Sequence, residues 1–224
     1  MDEDFIQEIT YFRFCGEKNT TKVLELAKKR AEQLGISKII IASETGRSAI
    51  KALDYFTDSN YQLIIVTHFP ASTIGPKGEI PIGIKREEYS DREQKLLEKG
   101  VKIVQGTIPF APPSRYLSWN YPIPEGIMDK TLELFSAGTK IAIASALMAT
   151  DAGETKEGEE IISCAGTYKG LDTALVVKTT TSMNFFKKFE VREIIAKPRF
   201  RVRKTKDNNY ENWRGNIDQY YSFK

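Results

Sequence analysis

Residues 43–48 combine hydroxyl, glycine and guanidinium groups in a spacing that suits the binding of a phosphate. They follow the apolar run 39–42 and precede an amphipathic segment, so the loop leads from a buried strand into a helix. The first turn of a helix leaves backbone N–H groups unpaired and carries a partial positive charge, and it therefore attracts anions. Arginine adds two parallel N–H donors, and glycine lets the backbone approach an oxygen. The residues of this loop are Ser43, Glu44, Thr45, Gly46, Arg47 and Ser48.

A simpler interpretation of the same loop is a capped helix that binds no ligand, with Ser48 as its N-cap. Three hydroxyls, a glycine and an arginine exceed what helix capping requires. Open α/β sheets also bind ligands beyond the carboxyl ends of their strands, which is where this loop would lie. We therefore favour the phosphate-binding interpretation.

A second polar group lies between two predicted strands in the last third of the chain. Its backbone N–H groups and hydroxyls could contact the same ligand. The alternative is an ordinary turn, in which Asp172 accepts hydrogen bonds from the backbone around it. The residues of this group are Gly166, Thr167, Asp172 and Thr173.

Two further strand-end positions carry polar side chains. His68 is the only histidine in the sequence, which excludes a metal site with two histidines. It follows Thr67 at the end of a predicted strand, where it could hydrogen-bond a ligand or serve the fold. Asn19 and Thr20 begin a predicted helix, and they either cap it or contact the ligand. Cys15 lies in a loop before that helix. Such positions lower the pKa of a thiol, so we expect Cys15 to be the more reactive of the two cysteines.

Short runs of β-branched residues alternate with longer amphipathic segments, which predicts βαβ units. We therefore expect a three-layer α/β fold, with a mostly parallel central sheet and helices on both faces. The predicted strands are 9–14, 38–42, 63–66, 101–104, 160–164, 173–177 and 191–196. The predicted helices are 20–34, 48–56, 91–99, 124–135 and 140–150. The proline-rich stretches 68–90 and 106–124 predict a long surface excursion and an irregular segment.

The length of 224 residues suits one sizeable domain. We assign residues 1–199 to an α/β domain and 200–224 to a basic, aromatic extension. From residue 199 to the end there are seven Lys/Arg against three Asp/Glu, a net charge of +4, so the rest of the chain sums to −1. Basic residues followed by aromatics could bind single-stranded nucleic acid, but no nucleic-acid module is recognisable. We favour packing of the extension on the domain or on a second copy in a homo-oligomer.

The composition also indicates the cellular compartment that we expect for the protein. No apolar run approaches the ~20 residues that a membrane span requires. The sequence opens on an acidic stretch without an apolar signal core, and its two cysteines lack CxxC spacing. These features predict no membrane partner and a reduced, cytoplasmic protein.

Four blocks of the sequence resemble the C-terminal α/β domain of pyruvate kinase, and more fully a family of stand-alone proteins with that fold. The turn at 45–49 is similar to the one that grips a sugar phosphate in pyruvate kinase. The blocks are Tyr11-Phe12 with Gly16 and Asn19-Thr20; residues 42–46; residues 66–68; and a C-terminal block of 149–153, 165–167, 170, 172–174 and 193–199. Their order and spacing over residues 9–203 make the resemblance specific.

Members of the stand-alone family hold flavin mononucleotide (FMN) without an established reaction. The resemblance therefore implies that FMN is the cofactor, with its phosphate at residues 45–48 and its isoalloxazine ring over the other strand-end loops. It implies a flavin-dependent oxidoreductase or a flavin carrier. The alternative is a non-catalytic module that senses a phosphorylated metabolite, as the pyruvate kinase domain does. The barrel and metal-binding apparatus of a pyruvate kinase have no room in this chain.

The sequence departs from the family pattern at two places. Cys15 stands where relatives commonly have proline, and Phe69-Pro70 follows His68 where relatives have more histidine and glycine. We therefore expect residues 68–90 to cover the flavin in a different way from the relatives.

Overall fold

A computed structural model describes residues 4–58, 60–75, 78–110 and 123–199, together with the main chain of three short strands between 202 and 216. Within these ranges the chain forms a seven-stranded sheet with helices on both faces. The three-layer α/β fold predicted from the alternating pattern is confirmed.

The central sheet is nearly all parallel. Its strands are β1 (Thr10–Phe12), β2 (Lys38–Ala42), β3 (Gln62–His68), β6 (Lys102–Gly106), β7 (Glu160–Ala165), β8 (Thr173–Lys178) and β9 (Glu190–Pro198), while β4 (Ala71–Gly75) and β5 (Gly78–Ile82) form a separate hairpin. The spatial order is β1-β9-β8-β7-β2-β3-β6. Only β8 runs against its neighbours in this sheet, so the other six strands all end at the same edge.

Helices cover the two faces in groups of three. They are α1 (Thr20–Leu34), α2 (Arg47–Phe56), α3 (Ser90–Glu98), α4 (Pro124–Glu133), α5 (Ala137–Asp151) and α6 (Phe185–Lys188). Apolar residues of α1, α2 and α3 pack on one face of the sheet. Those of α4, α5 and α6 pack on the other. Each helix turns its apolar stripe toward the sheet, because burial of that stripe stabilises the layers.

The strand β2 shows why this sheet is buried on both sides. Ile39 and Ile41 pack in the core layer below α1 and α2, and Ile40 packs in the opposite layer below α5. All three isoleucines are fully buried. Continuous apolar strands of this kind are typical of parallel sheets that are covered by helices on both faces.

Two segments differ from the expectation drawn from the sequence. The excursion at 68–90 contains the β4–β5 hairpin, so much of it is regular structure. Helix α5 begins at Ala137, three residues before the predicted start, because the Ser136 Oγ caps it by accepting a hydrogen bond of 2.8 Å from the Thr139 N–H. Most of the predicted irregular segment, residues 111–122, lies outside the described residues.

The extension contributes three short antiparallel strands, β10 (Val202–Lys204), β11 (Tyr210–Asn212) and β12 (Gly215–Asn216). Its side chains lie outside the described residues, so its proposed roles and the domain boundary after residue 199 stay predictions. None of the described helices is long and apolar enough to cross a bilayer.

Candidate functional site

A cleft of about 350 Å³ opens at the edge of the sheet where the parallel strands end. Residues that follow β2, β3, β6 and β7 line it, together with residues from the start of α1, from α5 and from β5. Ligands of open α/β sheets bind at this edge. The lining residues are Glu17, Thr20, Ala42, Ser43, Glu44, Thr45, Arg47, Ser48, Lys51, His68, Ile80, Ile82, Ile108, Ile141, Gly166, Tyr168, Lys169 and Gly170.

The loop between β2 and α2 forms the polar wall of this cleft. Ser43, Thr45, Arg47 and Ser48 all line it, at the N-terminal end of a ten-residue helix. The Ala49 N–H at that end donates a hydrogen bond of 3.4 Å to the Ser43 Oγ. The sequence alternative of Ser48 as N-cap is wrong, because Gly46 is the N-cap and Ser48 is the second helical residue.

Gly46 serves the packing of the loop and does not line the cleft. Its φ of 78° is in the left-handed region, which favours glycine. A Cβ at this position would lie 3.0 Å from the Ile84 Cδ1 and 3.0 Å from the Arg92 Cβ. The glycine is therefore required by the turn and by its close packing on these neighbours, and its approach to a ligand stays a prediction.

Two hydrogen bonds from outside the cleft hold the main chain of the loop. The Arg92 Nη1 on α3 donates to the Thr45 carbonyl oxygen at 2.6 Å. The Gly83 N–H, which follows the hairpin, donates to the Glu44 carbonyl oxygen at 3.1 Å. The loop is therefore fixed in shape without any contribution from a ligand, and such preorganisation lowers the cost of binding.

The Glu44 side chain turns toward the end of β3. Its Oε2 accepts hydrogen bonds from the Thr67 Oγ1 at 3.2 Å and from the His68 N–H at 3.0 Å. The Thr67 Oγ1 accepts in turn from the Ile84 N–H at 3.1 Å. Burial raises the pKa of the Glu44 carboxyl above its ordinary value, and the hydrogen bonds oppose this rise only in part.

Thr67 and His68 have different positions relative to the cleft. Thr67 is buried and does not line it, whereas His68 does. The Nδ1 of His68 lies 3.1 Å from the Phe69 carbonyl oxygen, and the rings of the two residues are tilted by 40° with their centroids 3.9 Å apart. The imidazole is therefore held by its chain neighbour at the wall of the cleft.

Cationic groups gather around the loop. Arg47 and Lys51 lie four residues apart on α2, so their side chains share one face of the helix, and both line the cleft. Lys169 lines it from the β7–β8 loop. Within the described part of the chain, neither Arg47 nor Lys51 takes part in an ion pair, so both charges remain for an anion in the cleft.

Asp172 is buried beneath the β7–β8 loop. Its Oδ2 accepts hydrogen bonds from the Gly16 N–H at 2.8 Å and the Thr167 N–H at 2.9 Å, and its Oδ1 accepts from the Thr173 Oγ1 at 2.9 Å. Burial raises the pKa of this carboxyl, against the effect of these bonds. Asp172, Thr167 and Thr173 do not line the cleft, and Asp172 instead fastens the loop to the segment before α1.

The start of α1 completes the wall on this side. Thr20 lines the cleft, and its Oγ1 accepts a hydrogen bond of 3.0 Å from the Leu171 N–H. Asn19 does not line it, because its Nδ2 donates to the Phe14 carbonyl oxygen at 2.7 Å. Of the second polar group in the sequence, Gly166 is the one that lines the cleft.

The sequence matches the family model of the pyruvate kinase alpha/beta domain over residues 21–177. The chain belongs to this family. The match begins in α1, includes the loop of residues 43–48 and ends in β8, so it contains most of the elements that form the cleft. The resemblance to the pyruvate kinase domain is confirmed, and the binding of FMN stays a prediction.

The cleft also has an apolar half, which the sequence did not indicate. Ile80 and Ile82 on β5, Ile108 after β6, and Ile141 on α5 form it, together with Tyr168. In the sequence, the proline-rich stretch at 68–90, which contains Ile80 and Ile82, was the one feature that pointed to part of this wall. The cleft therefore combines a cationic, hydroxyl-rich end with an apolar surface, which suits a phosphorylated ligand that also carries an apolar moiety.

Neither of the two cysteines lines the cleft. Cys15 and Cys164 are both buried, and burial raises the pKa of the Cys164 thiol to about 12. Cys15 is thus not the exposed thiol that its loop position suggested. Among the described residues, no cluster of three or more His, Cys, Asp or Glu is placed to hold a metal ion.

Proposed function

We propose that this protein binds FMN in the cleft at the carboxyl edge of its sheet. The observation that carries the proposal is one wall containing the preorganised loop 43–48, the helix N-terminus and the cations Arg47 and Lys51. A phosphate monoester carries close to two negative charges at neutral pH and strong acceptor oxygens. Backbone N–H groups, hydroxyls and a guanidinium are the donors that such a group requires.

The apolar side of the cleft fits the other half of the same ligand. Ile80, Ile82, Ile108 and Ile141 offer aliphatic surface for an isoalloxazine ring, beside the ring of Tyr168. A flavin mononucleotide joins a phosphate to a flat, largely apolar ring, which matches this division of the cleft. Inorganic phosphate or a small sugar phosphate would leave the aliphatic surface in contact with water.

When bound, FMN would supply redox chemistry, and the chain would bind and orient it. Arg47, Lys51 and the N–H groups of α2 hold the phosphate, while the isoleucines exclude water from the ring. The carboxyl of Glu44 and the imidazole of His68 are the titratable groups of the cleft nearest the end of β3. This division of roles suits a flavin-dependent oxidoreductase or a flavin carrier.

A second candidate function is a non-catalytic sensor of a phosphorylated metabolite. The observation that favours it is the environment of His68, whose Nδ1 lies 3.1 Å from the Phe69 carbonyl oxygen and is therefore engaged by the main chain. A protein that shows no flavin absorbance, ignores added FMN and is thermally stabilised by sugar phosphates would be this sensor. A saturating ligand stabilises the folded state by a few kcal/mol, on the order of 3–4.

The phosphate assignment is tested by titrating FMN into the purified protein and into R47A/S48A. Loss of a charged hydrogen-bond donor costs about 1.5–3 kcal/mol, so we expect the affinity for FMN to fall by at least tenfold. The matched control is Lys187→Ala, an exposed cation on α6 that does not line the cleft, and it should bind FMN like the wild type. Equal affinity of R47A/S48A and wild type would refute the assignment.

A further inference from the structure

Tyr168, in the loop between β7 and β8, has a backbone conformation that is unusual for its side chain. Its φ is 71°, and it is the one non-glycine residue with positive φ in the described part of the chain. The Lys169 N–H donates to the Thr167 carbonyl oxygen at 2.9 Å, across this single residue. A hydrogen bond between residues i and i+2, with a residue of positive φ between them, defines the γ-turn that is rare and strained.

The surrounding residues prevent the turn from relaxing. Gly166 and Gly170 approach each other so closely that a Cβ on Gly166 would overlap the Gly170 carbonyl oxygen. Gly170 also packs on α1, where a Cβ would lie 2.5 Å from the Thr20 Oγ1. On the other side, the buried carboxylate of Asp172 accepts the Thr167 N–H. Strain persists only where neighbouring contacts over-determine the conformation in this way.

Glycine would fit position 168 better than tyrosine as far as the backbone is concerned. The loop already uses glycine at 166 and 170, where space or φ requires it. At 168 it instead carries a large aromatic side chain, which is 36% exposed and lines the cleft. Backbone strain of this kind clusters at ligand-binding sites, and here it coincides with a side chain that lines the cleft.

Tyrosine offers a flat, rigid ring that stacks well on other rings and loses little conformational entropy on binding. The same cleft holds the phosphate-binding loop and the four isoleucines of the apolar wall. We propose that Tyr168 is the residue that contacts the planar ring of the bound ligand, so that the site selects a phosphorylated aromatic compound over a non-aromatic sugar phosphate. This inference rests on the proposed function and specifies the ligand class.

The test uses the full chain with Y168G and Y168F, and measures thermal unfolding together with affinities for FMN and for glycerol 3-phosphate. Y168G accommodates the positive φ and removes the ring, so thermal unfolding checks that the variant is folded and the titration measures the effect of losing the ring. Y168G should weaken FMN binding by about tenfold, the usual contribution of one stacked aromatic ring. Its affinity for glycerol 3-phosphate should stay within about twofold of wild type, because that ligand has no ring.

Y168F keeps the ring, so its affinity for FMN should equal that of the wild type. A structural role alone would change the affinities of Y168G for both ligands together, and that result would overturn the inference. FMN binding that Y168G leaves unchanged would overturn the inference while the proposed function stands. Wild-type protein that binds no FMN would overturn both.

Discussion

The Arg92 Nη1 lies 2.6 Å from the Thr45 carbonyl oxygen, so a guanidinium on α3 holds the centre of the loop 43–48 from outside the cleft. Arg92 does not line the cleft, whereas Thr45 does. The guanidinium also lies over the Tyr89 ring, 5.5 Å from its centroid, which fixes its orientation. Arg92 is therefore a positioning residue, which acts on a ligand only through the shape of the loop.

Replacing Arg92 by leucine should weaken the binding of FMN without removing any contact to it. The loop would have to be ordered by the ligand itself, and we expect a loss of about 1–2 kcal/mol, close to tenfold in affinity. Calorimetric titration measures this effect. Lys95→Leu, an exposed position on the same helix, is the matched control. If the two variants bind FMN equally well, the preorganisation of the loop has no part in binding.

Gly46→Ala should destabilise the fold more than Gly35→Ala. Both glycines have positive φ, so alanine is strained at either site, by about 1–2 kcal/mol. A Cβ at Gly35 meets nothing within 4 Å, whereas at Gly46 it would press on Ile84 and Arg92. Urea unfolding of the two variants separates the packing effect from the backbone effect. Equal losses of stability in the two variants would show that Ile84 and Arg92 move to accommodate the alanine without a cost in free energy.

Glu44→Gln should change stability in a manner that depends on pH. Burial raises the pKa of this carboxyl in the folded state, so the wild type gains stability at low pH and loses it as pH rises through that pKa. Glutamine can accept the same hydrogen bonds from Thr67 and His68 and does not ionise. The free energy of unfolding of E44Q minus that of the wild type should therefore increase between about pH 4 and about pH 7, where the carboxyl group titrates. A constant or falling difference would contradict this account.

Asp172→Ala should be strongly destabilising, although the residue does not line the cleft. It would leave the buried N–H groups of Gly16 and Thr167 without their acceptor, at about 1–3 kcal/mol for each group. Asp172→Asn retains an acceptor oxygen and should lose less. Chemical denaturation compares the two variants. A loss in D172A no larger than that in D172N would mean that these hydrogen bonds do not hold the loop.

The elements of the fold follow from local patterns, and the sequence therefore predicted most of them. The run Ile39–Ile41 predicted a strand buried on both faces, and the loop after it was recognised as the start of α2. The role of Gly46 was not predictable, because it depends on Ile84 and Arg92, which are distant in sequence. For Asp172, the sequence offered the hydrogen bond from the nearby Thr167 N–H as an ordinary turn, but not the one from the Gly16 N–H, which is 156 residues away.

The apolar wall of the cleft was also not predictable from local patterns. Ile141 on α5 and Ile82 on β5 come together only in the folded chain, and neither differs in sequence from an ordinary core residue. Tyr168 is similar, because its positive φ results from the packing of the glycines around it. Sequence patterns thus predicted the loop that we propose to bind a phosphate, and the tertiary structure supplied the surface that would contact a ring.

The most direct test of the account is a comparison of FMN and riboflavin, which differ by the phosphate alone, in binding to the purified wild-type protein. If the loop 43–48 holds the phosphate and the apolar wall holds the ring, FMN should bind at least about a hundredfold more tightly than riboflavin, since several charge-assisted hydrogen bonds are lost with the phosphate. Equal affinity for the two flavins, or no binding of FMN, would contradict the account.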